Sequence, residues 1–183
     1  IARRLSSLKQ FCRYMVLEEI RTENPCDKVK RRIAKRSLPD TLSEAEIQQL
    51  MAHITLRKNK NAIRLYAMLH VLYGAGLRVS ELVALSTQDI RKSQALGNAI
   101  FLTINGKGGK ERLVPLHDAA WEALQTYFDV RPSFLKHPKS VWIFPSGRSD
   151  IGRISRQGFA QLLKKAAIEA GIDHHKVHPH ALP

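Results

Sequence analysis

Residues 63–82 read IRLYAMLHVLYGAGLRVSEL, and the change of pattern inside this stretch organises the rest of the chain. Ile63, Leu65, Met68, Leu69, Val71 and Leu72 crowd the first half at helical spacing, which predicts a thickly apolar central helix. Gly74-Ala75-Gly76 stops it, because glycine accepts the left-handed backbone that ends many helices. After Arg78 a short helix is expected to carry Ser80, Glu81, Leu82 and Leu85. Arg78 and Glu81 thus stand at a polar break between two apolar elements, where they can form a short-range ion pair or a helix-end cation site.

Upstream, Ser43 and Glu46 have capping-box spacing and Leu42 and Ile47 can staple the entry, so a helix is expected from Glu44, at the start of a new domain. Before it, residues 25–40 lose their periodicity and gather Lys28, Lys30, Arg31, Arg32, Lys35 and Arg36, which reads as a basic interdomain linker. Residues 1–24 begin inside an amphipathic helix, with Ile1, Leu5, Leu8, Cys12 and Met15 on one face and Arg3, Arg4, Lys9 and Arg13 on others. It is expected to be the last helix of a truncated N-terminal domain.

Downstream, Ala99 to Ile104 and Arg112 to Leu116 are β-leaning segments joined by Asn105-Gly106-Lys107-Gly108-Gly109, the signature of a β-hairpin. Helices are predicted from Asp118 to Val130 and from Ser155 to Ala170, with Gly171 as a C-terminal stop. The fold class is therefore mostly α with a small antiparallel β-sheet (α+β). Residues 41–183 form the larger domain.

Composition narrows the function. The 183 residues are 44% hydrophobic, enough for one ordinary core, so disorder is not expected. Thirty Lys plus Arg against 16 Asp plus Glu give a formal charge of +14, which favours a polyanion because each neutralised phosphate releases counterions. No apolar run approaches the roughly 20 residues that span a bilayer, no signal-peptide layout is present, and a cytoplasmic location without membrane contact is expected. Cys12 and Cys26 fit no metal pattern and read as reduced thiols. His174, His175, His178 and His180 lack zinc spacing and a completing ligand, so no metal is assigned. The absence of an internal repeat excludes solenoids.

Taken alone, each polar motif is ordinary; the Lys107 turn by itself reads as a hairpin tip kept soluble by lysines. Together, Tyr73 to Leu82, then Gly106-Lys107-Gly108-Gly109-Lys110-Glu111-Arg112-Leu113-Val114-Pro115-Leu116, then His178-Pro179-His180, closely resemble the tyrosine recombinase (phage integrase) family, most of all its bacterial Xer site-specific recombinases. The resemblance runs from about Ile1 to Leu182. It implies a tyrosine recombinase catalytic-domain fold over residues 41–183, and that residues 1–24 close a core-binding domain.

The resemblance also implies roles. Arg78 matches the first catalytic arginine, whose planar fork can bind two phosphate oxygens. Glu81 matches the acidic position that supports the basic cluster, and Lys107 the lysine that protonates the departing 5′ hydroxyl. His180 matches the histidine of a His-x-x-Arg motif, but Pro183 stands where the arginine is expected, and the nucleophilic tyrosine that follows in the family has no counterpart. Tyr14, Tyr66, Tyr73 and Tyr127 all precede His180 and read as packing or surface residues. Lys110 and Arg112, with Lys30, Arg31, Arg32, Lys35 and Arg36, are expected at the DNA backbone. Double-stranded DNA is the implied partner, complete family members act as tetramers on two DNA sites, and neither metal nor nucleotide cofactor is implied.

The resulting expectation is a DNA-binding fragment, incomplete at its C-terminus, of an enzyme that breaks and rejoins DNA through a 3′-phosphotyrosyl intermediate. Without the tyrosine and second arginine it is expected to be inactive. The competing reading is a non-catalytic DNA-binding protein that occupies or competes for a recombination site.

Overall fold

The structure is a computed structural model that describes residues 2–27, 29, 42–106, 109–173 and 176. The chain divides into two compact units, Ile1–Pro39 and Asp40–Pro183.

The first unit holds helix α1, Ala2–Leu17. Cys12 is buried and Leu5 and Met15 are half-buried, as their spacing predicts, whereas Leu8 is exposed although it shares the predicted apolar face. Phe11, Tyr14, Leu17 and Ile20 are exposed too. Cys12 and Cys26 are both free thiols, their sulfurs 3.6 Å apart. Ile1 lies outside the described residues.

In the second unit α2 runs Glu44–Leu56 and α3 Lys60–Gly74. The predicted capping box is formed: the Glu46 N–H donates to Ser43 Oγ at 3.2 Å and the Ser43 N–H to Glu46 Oε2 at 2.8 Å. Lys176 adds an ion pair to the same carboxylate at 3.0 Å, and the Glu46 pKa is lowered chiefly by the bond from the Ser43 backbone. Helix α3 is the core helix, with Leu65, Ala67, Met68, Leu69, Val71 and Leu72 all buried.

Helix α4 is a single turn, Val79–Leu82. A three-stranded antiparallel sheet follows, β1 Ile90–Ser93, β2 Ala99–Asn105 and β3 Glu111–Leu116, in the order β1-β2-β3. The hairpin β2-β3 was expected, but β1 was not. Its four residues include two cations and one large apolar side chain, and its extended form comes from pairing with β2 in the register Ile90↔Leu102 to Ser93↔Ala99. Along β2, Ile100, Leu102 and Ile104 face the core while Phe101 and Thr103 turn to the other side. This is the two-residue alternation of a half-buried strand.

Helix α5, Asp118–Val130, packs on α3 at close range; a Cβ on Gly74 would meet Ala120 Cβ at 3.4 Å. Helix α6, Arg156–Glu169, starts at Ser155, whose hydroxyl accepts from the Gly158 N–H at 2.9 Å, and is followed by Gly171 at φ +74. The core extends from Leu42 to Ile172. Among the described residues one charged residue is buried in it: Arg64 stacks 4.1 Å from the Phe134 ring and donates to Asn61 Oδ1 at 3.1 Å. Burial lowers its pKa. The molecule is thus mostly helical with a small antiparallel sheet, the α+β class that the sequence predicts. Among the described residues no helix is long and apolar enough to cross a membrane.

Candidate functional site

The site begins where α3 stops. Gly76 adopts φ +55, so the Leu77 N–H reaches back to Leu72 O at 3.0 Å and the Gly76 N–H to Tyr73 O at 3.3 Å. This pair of bonds is a Schellman ending, and it requires a residue without a Cβ penalty at position 76. It delivers Arg78 to the cap position of α4 in extended backbone, φ −72 and ψ 149.

Arginine has no acceptor with which to cap a helix. Glu81 instead reaches back one turn and accepts the Arg78 N–H on Oε2 at 2.8 Å, and its Oε1 accepts from Arg78 Nη1 at 3.2 Å. From the hairpin, Arg112 donates Nη1 to Oε1 at 3.0 Å and Nη2 to Oε2 at 2.8 Å. The Glu81 side chain is 8% exposed, that of Arg112 40% and that of Arg78 76%. The Arg112 bonds, with smaller help from Arg78, outweigh desolvation and hold the Glu81 pKa down at about 2. The same contact raises the pKa of Arg112. A buried carboxylate therefore sits between two guanidiniums, and the one with most access to solvent is Arg78.

The hairpin turn closes at its base, where the Gly106 N–H donates to Lys110 O at 2.8 Å, and Gly109 takes φ +74. Lys110 is exposed beside it. Lys107, His180, Lys30, Arg31, Arg32, Lys35 and Arg36 lie outside the described residues. So do His174, His175 and His178; among the described residues no three His, Cys, Asp or Glu side chains form a group able to hold a metal.

The structure brings together Arg78, Glu81 and Arg112. Arg78 and Glu81 were paired by spacing; Arg112 was expected to act with Lys110 at a nucleic-acid backbone, and its guanidinium is engaged with Glu81. No local signal links positions 81 and 112, which are neighbours only because β3 passes the start of α4. The tyrosines divide as expected between surface and packing. Tyr14 is exposed, and Tyr66 lies tilted against His70 with ring centroids 4.3 Å apart. Burial pushes the Tyr73 hydroxyl up to about 12 and raises that of the fully buried Tyr127, so neither supplies a phenolate at neutral pH.

Residues 40–182 match the family model described as the phage integrase family. The chain is 42% identical over 183 residues to the tyrosine recombinase XerD of Caulobacter vibrioides, a match that covers 99% of this chain and 58% of that protein. It is 36% identical to the tyrosine recombinase XerC of Erythrobacter litoralis, covering 100% of this chain and 56% of that one. The chain thus spans a little over half the length of these curated relatives. Among solved structures, it resembles the Tn1549 transposon integrase in complex with a circular intermediate DNA, with TM-score 0.68, 16% identity, and coverage of 98% of this chain and 62% of that one. It also resembles the XerH site-specific recombinase bound to palindromic difH substrate in a post-cleavage complex, with TM-score 0.65, 19% identity, and coverage of 82% and 42%.

Proposed function

The chain belongs to the phage integrase family, with Xer tyrosine recombinases as its curated relatives, and from that premise we propose that residues 1–183 are the DNA-holding part of a site-specific recombinase. The observation that carries the reading is the arginine at the start of α4: its side chain is 76% exposed while Glu81, only 8% exposed, fixes its base. A guanidinium held at one edge and open at the other can receive two oxygens of a phosphodiester. The net charge of +14 would bring the duplex to it.

Phosphoryl transfer needs negative charge on the nonbridging oxygens to be neutralised and the leaving oxygen to be protonated. Arg78 serves the first need. Lys107, which falls between β2 and β3 in the sequence, is assigned the second, as general acid toward the 5′ hydroxyl. Glu81 orients Arg78, and His180 completes the phosphate site. In this reading Lys30, Arg31, Arg32, Lys35, Arg36 and Lys110 contact the DNA backbone. The whole recombinase would act on two DNA sites as a tetramer.

The tyrosines of residues 1–183 are Tyr14, Tyr66, Tyr73 and Tyr127, all preceding His180, and in this reading Pro183 falls where the family's second arginine is expected. The segment alone is therefore proposed to hold DNA without forming a phosphotyrosyl bond. A nicked suicide duplex tests both statements. Reversible retention that weakens steeply with salt is the expected result. Covalent capture would overturn the inactivity, and no retention at low salt would overturn the DNA reading.

A further inference from the structure

We infer that Arg112 is a positioning residue for the phosphate site, holding the hairpin to the start of α4 through Glu81 and leaving Arg78 free for its ligand, and is not itself a contact to the DNA backbone. The inference rests on the proposed DNA reading for what Arg78 binds, but the contacts that carry it do not.

The strand register aims Arg112 inward. It pairs with Ile104, which is buried, and shares its face of β3 with Val114 and Leu116, while Glu111, Leu113 and Pro115 occupy the exposed face. At the inner end of its side chain each nitrogen meets a different oxygen of Glu81, the parallel two-bond geometry that only a planar guanidinium gives. At the base of the turn, a Cβ on Gly106 would lie only 3.2 Å from Lys110 O, whereas its 3.8 Å approach to Arg112 Nη1 is an ordinary contact. Arg112 thereby ties the base of the Gly106–Lys110 turn to the residue that begins α4.

Charge balance gives the tie its consequence. Arg78, Glu81 and Arg112 together carry one net positive charge. With Arg112 present, each Glu81 oxygen already accepts one of its N–H groups, and Arg78 adds only its backbone N–H and one Nη1 bond. Without Arg112, two strong acceptor sites on a buried carboxylate are left unfilled. Among the described residues the Arg78 guanidinium, already 3.2 Å from Glu81 Oε1, is placed to fill them, and doing so would cancel the charge meant for phosphate. Arg112 is therefore expected to act on the ligand only through Arg78.

A double-mutant cycle on the 183-residue chain separates this from direct contact. With a short fluorescein-labelled duplex of random sequence, Arg112→Ala is expected to weaken binding about tenfold, the order of one charged contact. Arg112→Lys should remain within about twofold of Arg112→Ala, because an ammonium cannot hold both oxygens. In an Arg78→Ala background, Arg112→Ala should add less than about twofold. Binding that Arg112→Lys restores to wild type, or losses that multiply in the double variant, would overturn the inference. A second readout needs no DNA: the Arg78 Nε, followed by NMR relaxation near neutral pH, should be more mobile in the wild type and more ordered in Arg112→Ala, where its guanidinium takes up the vacated oxygens of Glu81. If no variant binds DNA, the functional reading falls and the Arg78 relaxation alone decides the positioning role; an unchanged Arg78 Nε signal sinks it.

Discussion

Glu81 accepts donors from two arginines while almost withdrawn from water, and such a carboxylate is sensitive to pH in a definite direction. Its folded pKa of about 2 lies below the ordinary value of 4.5. A depressed carboxylate contributes stability that is fully present above the unfolded pKa and disappears as pH falls through the folded one. Glu81→Gln should therefore lower stability near neutral pH by roughly 2 kcal/mol, a figure that allows for the partly exposed Arg112. The deficit should shrink between about pH 4.5 and 2, which urea unfolding at a series of pH values would read; a deficit constant with pH would place the loss elsewhere. Arg78→Ala has a different signature. Its ligand side faces solvent, so folding should change little, while the dependence of DNA affinity on salt loses a slope of about one, as for one phosphate contact.

At the scale of elements, the helices announce their own ends. Ser43 caps α2 through a bond that needs only residues three apart, and Ser43→Ala should cost about 1 kcal/mol, measured by chemical denaturation. Met68 in α3 is fully buried, and Met68→Ala should cost about 2–5 kcal/mol for the apolar surface lost and the cavity left. These features were legible before any coordinates because capping, helix stops and apolar periodicity are local. Gly76 was read as a stop from sequence, and the Schellman bonds show the backbone that requires it. Strand β1 was illegible because Ile90-Arg91-Lys92-Ser93 has little strand character of its own; its partner β2 holds it in the sheet. The pairing of Arg112 with Glu81 was hidden for the same kind of reason. It spans 31 positions and depends on where the hairpin lies beside α4. Arg64 carries no such sequence signal either: its planar head stacks on Phe134 in the core, two positions that only the fold brings together.

At the scale of the whole molecule, cooperative stability should be unevenly distributed. Every side chain of the main core, from Leu42 to Ile172, belongs to the unit Asp40–Pro183. The unit Ile1–Pro39 buries Cys12 but leaves Leu8, Phe11, Tyr14, Leu17 and Ile20 exposed. A helix of 16 residues barely exceeds the roughly 12–15 residues below which isolated helices are marginal in water, so it too depends on packing of an apolar face. The larger unit, by contrast, surrounds α3 with α2, α4, α5 and α6, so opening α3 requires most of that core to open. Native-state hydrogen exchange should therefore find the amides of Ala67 to Leu72 exchanging only through global unfolding, and those of α1 exchanging orders of magnitude faster. Residues 40–183 expressed alone should also unfold in one cooperative thermal transition. Amides in α1 that exchange as slowly as those in α3, or a 40–183 chain without a cooperative transition, would mean that the two units share one stability, and the core mapped from Leu42 to Ile172 would then be an incomplete account of what holds the molecule together.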